Sequence, residues 1–206
     1  MGVAHLVRTR RLKGEDTIVM NNLELGKRFI HGDEAELTEI IDVFGNRLMR
    51  YATSILCNHH DAEDVVQKVF LQAYQNRKKF DGENLSAWLY KITYNNCMNH
   101  LKKRRLFFFS DIKDVAETMV NPFEDSDMHE NVLEILCLLK TEDRALVYGR
   151  VIEEQSYDEL ALVFGKSPAA LRKQYERAKK KLAGYLVVGN GRLERRQSNE
   201  HRFEQI

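Results

Sequence analysis

The sequence predicts an all-α fold: two small helical domains joined by a flexible acidic linker. Three observations carry that reading. Only Pro122 and Pro168 occur in 206 residues, so long stretches are free of the residue that breaks helices. Apolar residues recur at spacings of three and four in several segments, and no segment shows the strict alternation of a strand. Charge falls in blocks although the net charge is only +1. Residues 84–110 carry Lys91, Lys102, Lys103, Arg104 and Arg105 and no acid. Residues 111–143 are strongly acidic, with Lys113 and Lys140 the only cations. Residues 165–182 are basic again, with Glu176 the sole acid.

The elements follow in chain order. Residues 1–20 lack an apolar period and read as a flexible leader. Across 33–57, Phe44, Leu48, Tyr51, Ala52 and Ile55 form one helical face. The stretch DAEDVVQKVFLQAY (61–74) repeats the pattern with Ala62, Val65, Val66, Val69, Phe70 and Ala73, and Asp61 is the expected N-cap. FDGENLS (80–86) is turn chemistry, and Ser86 is the expected cap of a further helix over 87–105. These make a first domain over 21–110. Pro122 and the cluster EDSD mark 111–129 as the linker, with the LFFF run at 106–109 docked on the first domain. Helices resume at 131–139 and, with Thr141 as cap, at 142–152, opening a second domain over 130–186. A polar tail, 187–206, is expected to be mobile.

Bulk properties exclude several classes. No apolar run approaches the ~18 residues of a membrane span, and the basic N-terminus lacks the apolar core of a secretory signal. Cys57, Cys97 and Cys137 are scattered and odd in number, which predicts reduced thiols in a cytoplasmic protein rather than a disulfide framework. CNHHDAED (57–64) gathers metal-binding residue types without a paired ligand spacing, so no metal and no cofactor are expected. No nucleophile, phosphate loop or catalytic constellation is visible, and the chain is not expected to be an enzyme.

SYDELALVFGKSPAALRKQYERAKKKL (156–182) carries the first functional motif. Ser156 and Glu159 form a capping box, and Tyr157, Leu160, Ala161 and Phe164 make a buried face. Gly165 suits a left-handed helix stop, Ser167 caps the next helix, and Pro168 fits its first position. Ala161, Gly165 and Leu171 together have the spacing of a DNA-binding helix-turn-helix. The second helix buries Ala170 or Leu171, Tyr175, Ala178 and Leu182. It exposes Ser167, Arg172, Lys173, Glu176 and Arg177, with Lys179 to Lys181 beyond. In such a unit the N-terminal residues of the second helix reach base edges while later cations grip phosphate.

The first domain resembles region two of the bacterial sigma-70 family, in its small extracytoplasmic-function branch. The match lies in Asp61-Ala62-Glu63-Asp64-Val65-Val66-Gln67, Phe70, Ala73 and Phe80, then Trp88-Leu89-Tyr90-Lys91-Ile92, Asn95 and Leu101-Lys102-Lys103-Arg104-Arg105. The second domain resembles region four, so the resemblance spans roughly residues 25–186. It implies an initiation factor that brings RNA polymerase core to specific promoters and opens the strands, while the polymerase performs the chemistry. It further implies that Glu63, Asp64, Gln67, Lys68 and Leu71 contact the β′ clamp helices. Lys68 departs from a frequent glutamate, which weakens contact with a basic clamp unless an acid there compensates. Lys91, Asn95, Asn96, Asn99, Lys102, Lys103 and Arg104 are implied to contact the −10 element, with Trp88 and Tyr90 as stacking candidates. Ser167, Arg172, Lys173, Arg177 and Lys179 are implied to contact the −35 element. The implied partners are promoter DNA, the β′ clamp helices and β flap of core polymerase, and an anti-sigma protein as a regulator. The implied location is the cytoplasm, on the nucleoid when in holoenzyme. Gly149 replaces a bulkier apolar residue of the family, with an expected helix cost of ~1 kcal/mol. The competing reading is a helix-turn-helix regulator that binds DNA without polymerase. The helix-turn-helix fits both readings, and the DAEDVVQ helix fits only the first.

Overall fold

Asp33 opens the first long helix with reciprocal bonds. Its carboxylate accepts from Ala35 N at 2.9 Å, and Glu36 reaches back to accept from Asp33 N at 3.0 Å. The computed structural model describes residues 22–110 and 135–203, with side chains over 22–105 and 135–185, and every regular element among them is a helix. The helices are α1 (22–31), α2 (Glu34–Leu56), α3 (His59–Asn76), α4 (Leu85–Ser110), α5 (135–137), α6 (Thr141–Val151), α7 (Tyr157–Phe164) and α8 (Pro168–Phe203). A single 3-10 turn, Arg77–Lys79, follows α3. The predicted leader and linker lie outside the described residues.

Helix α1 is not among the helices the sequence predicts; the other helices lie where the apolar periods put them, but several starts differ. Asn58, not Asp61, caps α3, its side-chain oxygen accepting from Asp61 N at 3.0 Å. Asn84, not Ser86, caps α4, accepting from Ala87 N at 2.8 Å. Thr141 is the first residue of α6 rather than its cap, which is Lys140. Helix α4 runs on through the LFFF segment to Ser110. The predicted polar tail is helical as far as Phe203, where α8 ends.

Helices α2, α3 and α4 bury the predicted faces in a common core with Leu25 and Phe29 of α1. Trp88 is not a free stacking surface. It packs on Phe80, centroids 4.9 Å apart, and edge-on to Phe29 at 6.5 Å. Tyr90 is fully buried against Tyr51, centroids 4.9 Å apart. Tyr90 is part of the core, and Trp88 is half-buried against that core.

The second domain does not stand apart. Leu136, Leu139, Ala145, Val147, Tyr148, Val163 and Ala178 belong to the same continuous core as α2, α3 and α4. Helix α6 lies on α2 and α7 lies on α4. Tyr148 meets Tyr51 at 5.8 Å and Phe164 meets Tyr94 at 4.7 Å between centroids. Arg47 of α2 donates through Nε and Nη2 to Glu153, at 2.9 and 2.7 Å, and the Glu153 carboxylate is only 4% exposed.

Two further expectations are corrected. Cys57 and Cys137 are joined in a disulfide, with Cα atoms 6.1 Å apart, so only Cys97 is a free thiol among the described cysteines. Scatter along the sequence cannot show that the corner between α2 and α3 faces the entry to the second domain. Gly149 is a site of close approach, not a loosened one. A Cβ there would meet Gln155 Oε1 and Leu160 Cδ2, both at 2.9 Å, so glycine lets α6 close on α7.

Candidate polymerase and promoter interfaces

Helix α3 sorts its side chains into two faces. Ala62, Val65, Val66, Val69, Phe70 and Ala73 are buried. Glu63, Asp64, Gln67, Lys68 and Leu71 recur at helical spacing on the opposite side, and all are exposed. Leu71 is 61% exposed, an aliphatic side chain in a polar surround with no partner of its own fold to cover it. His59 Nδ1 and His60 Nδ1 lie 3.6 and 3.5 Å from Glu63 carboxylate oxygens. These three carry ligand atoms near one another, yet all are exposed and sit at the positive end of α3, which opposes a bound cation.

Helix α4 presents Lys91, Asn95, Asn99, Lys102 and Lys103 to solvent along one side. Asn96 does not share that freedom. Its Nδ2 donates to Gln72 Oε1 at 2.7 Å and to Ile92 O at 2.9 Å, which ties it to α3. Asp61, read from sequence as a cap, instead bridges the two helices, with Oδ2 at 3.3 Å from His100 Nε2 and 3.5 Å from Arg104 Nη1. Its carboxylate thus fixes the basic end of α4. Amides and lysines on the remaining stripe match what reading a strand needs: amides address base edges and cations follow the backbone.

The helix-turn-helix is built as its sequence predicts. Ser156 and Glu159 close the capping box, with Glu159 N donating to Ser156 Oγ at 3.1 Å and Ser156 N donating to Glu159 Oε2 at 2.8 Å. Gly165 has φ of 63°, and Ala170 N donates to Ser167 Oγ at 3.3 Å. Leu160, Val163, Leu171 and Ala178 are the fully buried residues, so Val163 is a core position the spacing missed and Ala170 is exposed. Lys166 pairs with Glu142 at 2.7 Å, and Gln174 and Lys181 both bond Asp143, at 2.9 and 3.2 Å. These contacts fix the unit on α6 and occupy Lys181, which the sequence grouped with phosphate-gripping lysines. Ser167, Arg172, Lys173, Arg177 and Lys179 stay exposed along α8. The Arg172 guanidinium lies 5.0 Å from the Tyr157 ring centre, which orients it at the surface.

Comparison with known proteins decides what these surfaces belong to. The family described as Sigma-70 region 2 matches residues 40–107, and that described as Sigma-70, region 4 matches residues 129–182. The chain belongs to the sigma-70 family. Its relatives place it in the extracytoplasmic-function branch. The ECF RNA polymerase sigma factor SigW of Bacillus subtilis is 26% identical over 147 residues, covering 66% of this chain and 79% of that protein. SigE of Mycolicibacterium smegmatis is 27% identical over 166 residues, covering 76% of this chain and 65% of that protein. NccH of Alcaligenes xylosoxydans is 26% identical over 173 residues, covering 79% and 92%. Two solved structures share the fold at 24% identity. CnrH, in complex with the cytosolic domain of CnrY, has a TM-score of 0.63 over 81% of this chain and 97% of that one. The sigma factor RpoE, in complex with the anti-sigma factor NepR from Bartonella quintana, has a TM-score of 0.62 over 73% and 96%.

This sigma factor directs RNA polymerase core to promoters and initiates transcription, as a member of a class of non-enzymatic initiation factors. No described helix is long and apolar enough to cross a membrane. The competing regulator reading is not favoured, because the chain matches Sigma-70 region 2 as well as region 4.

Proposed function

We propose that the three exposed stripes divide the work of promoter initiation among themselves. The outer face of α3, with Glu63, Asp64, Gln67, Lys68 and Leu71, docks on the β′ clamp helices of the polymerase. The free side of α4, with Lys91, Asn95, Asn99, Lys102 and Lys103, takes the −10 element and its melted strand. Asn96 and Arg104 support that surface from the α3 side. Helix α8, with Ser167, Arg172, Lys173, Arg177 and Lys179, takes the −35 element, and the second domain rests on the β flap. The observation that carries the division is that each stripe is solvent-facing and faces away from its own domain's core.

The work is done in the cytoplasm, where the polymerase is. An anti-sigma protein is a fitting regulator, since two similar solved structures are complexes, one of them with a named anti-sigma factor.

Paired substitutions test the division. Asp64→Ala with Gln67→Ala weakens binding to core polymerase, measured by co-purification or fluorescence anisotropy. Arg172→Ala leaves core binding intact and lowers promoter-specific transcription by roughly five- to 150-fold, the loss of about 1–3 kcal/mol expected for a base contact. Loss of core binding on Arg172→Ala, or unchanged core binding in the α3 double variant, would contradict it.

A further inference from the structure

We propose that the Cys57–Cys137 disulfide is a redox latch that holds the two domains closed and so keeps the chain from engaging both promoter elements. The inference rests on the reading that the domains contact separate elements.

The bond sits at the domain contact itself. Cys57 ends α2 in the left-handed conformation, with φ of 50°. Cys137 ends α5, and its neighbours Leu136 and Leu139 are buried in the shared core. The link therefore pins the entry of the second domain to the corner between α2 and α3.

Reach decides the consequence. Elements at −10 and −35 lie about 25 base pairs apart, roughly 85 Å at ~3.4 Å per pair. With the cysteines reduced, residues 111–134 form the covalent connection, and a chain of that length extends to about 80 Å before the bodies of the domains are added. With the disulfide closed, α6 begins at Thr141, four residues past Cys137. Those residues and the 6.1 Å bridge hold it within about 20 Å of Cys57. Before the bodies of the domains are added on either side, the oxidised chain has about 60 Å less reach than the reduced chain, so closing the bond disfavours placing one domain on each element.

The site also suits formation of the bond. Arg144 of α6 directs Nη1 at Cys57 Sγ. A cation beside the sulfur is the electropositive kind of setting in which reactive cysteines are found. Arg144 and Cys137 both come from the second domain, so the reactive arrangement assembles only when the domains are closed. Hydrogen peroxide is the oxidant class. The Cys57 thiolate attacks the O–O bond, giving a sulfenic acid and hydroxide. The Cys137 thiolate then attacks the sulfenic sulfur, forming S–S and releasing a second hydroxide. The two thiol protons convert both hydroxides to water, so two thiols are oxidised by two electrons and one peroxide is reduced. A dithiol reductant reverses the bond by exchange. Cys97 stays out of this chemistry, fully buried and with its thiol pushed by burial up to about 12.

The test uses the full chain, treated with hydrogen peroxide or with dithiothreitol, and three readouts. These are peptide mapping of the 57–137 link, small-angle scattering, and promoter-directed transcription with core polymerase. Peroxide should form the link and lower transcription by about tenfold or more, with full recovery in dithiothreitol. Cys137→Ser, and Cys57→Ser as a second variant, should transcribe at the reduced level under both treatments. A mapped link with undiminished transcription, or no link under peroxide, overturns the latch while leaving the promoter reading intact. A reduced chain that binds core but starts no specific transcription overturns the promoter reading and the latch with it.

Discussion

Gly149 and Gly165 show two different reasons for a glycine, and only one is readable from sequence. Gly165 follows a capped helix and precedes Ser-Pro, so its positive φ is foretold by its neighbours. Gly149 lies in the last turn of α6 with an ordinary φ, and its reason is the approach of Gln155 and Leu160 from the following turn and helix. Gly149→Val should therefore destabilise by about 1–3 kcal/mol through overpacking, although valine is the better match to its apolar surroundings. Thermal unfolding checks this, and a melting temperature raised by the substitution would show that α6 gains more from a side chain than it loses in closeness. Asp61 and the cysteines follow the same logic. Their local patterns suggest a cap and free thiols. Their actual partners, His100, Arg104 and Cys137, come from distant segments that no local pattern reports.

At the scale of elements, the apolar periods place α2, α3, α7 and α8 well, because each helix has one clear buried face. The starts of α3, α4 and α6 shift by one to three residues, since Asn58 and Asp61, or Asn84 and Ser86, are all able caps and packing chooses between them. Helix α4 hid its packing most, because α2 and α3 cover parts of it and α7 covers another. That burial has a pH consequence. Burial pushes Tyr94 and Tyr148 from the ordinary 10.0 up to about 12, and raises Tyr51 as well. Between pH 10 and 12 the separated helices release phenol protons that the packed ones keep. The stabilising contribution is complete below about pH 10 and disappears as pH rises to about 12. Unfolding followed against pH should show a steep alkaline loss, and Tyr94→Phe with Tyr148→Phe should flatten it. An identical slope in the double variant would place the titration elsewhere.

For the whole molecule, two domains are legible in the sequence and their union is not. Tyr51 and Phe164 each fit the helical period of their own segment, so each reads as private core, yet they meet Tyr148 and Tyr94 across the boundary. The closed arrangement has a covalent and a non-covalent part. Closing a loop between cysteines 80 residues apart contributes about 4.5 kcal/mol in the chain-entropy account. In the reduced chain the contact depends on apolar packing and on Arg47–Glu153. The two halves of that pair are not equivalent: the Arg47 side chain is 32% exposed and the Glu153 side chain 4%. Removing Glu153 leaves an arginine that can turn to water. Removing Arg47 leaves a carboxylate enclosed by Tyr51, Tyr90 and Tyr148, each of which feels its charge. Arg47→Ala should accordingly weaken the closed form by up to about 3–5 kcal/mol, and Glu153→Gln by less. In dithiothreitol, small-angle scattering should report a larger radius of gyration for Arg47→Ala than for either wild type or Glu153→Gln. Peroxide should form the 57–137 link more slowly in that variant, because the cysteines meet only when the domains do. Equal radii for all three chains would mean that apolar packing alone holds the reduced domains together.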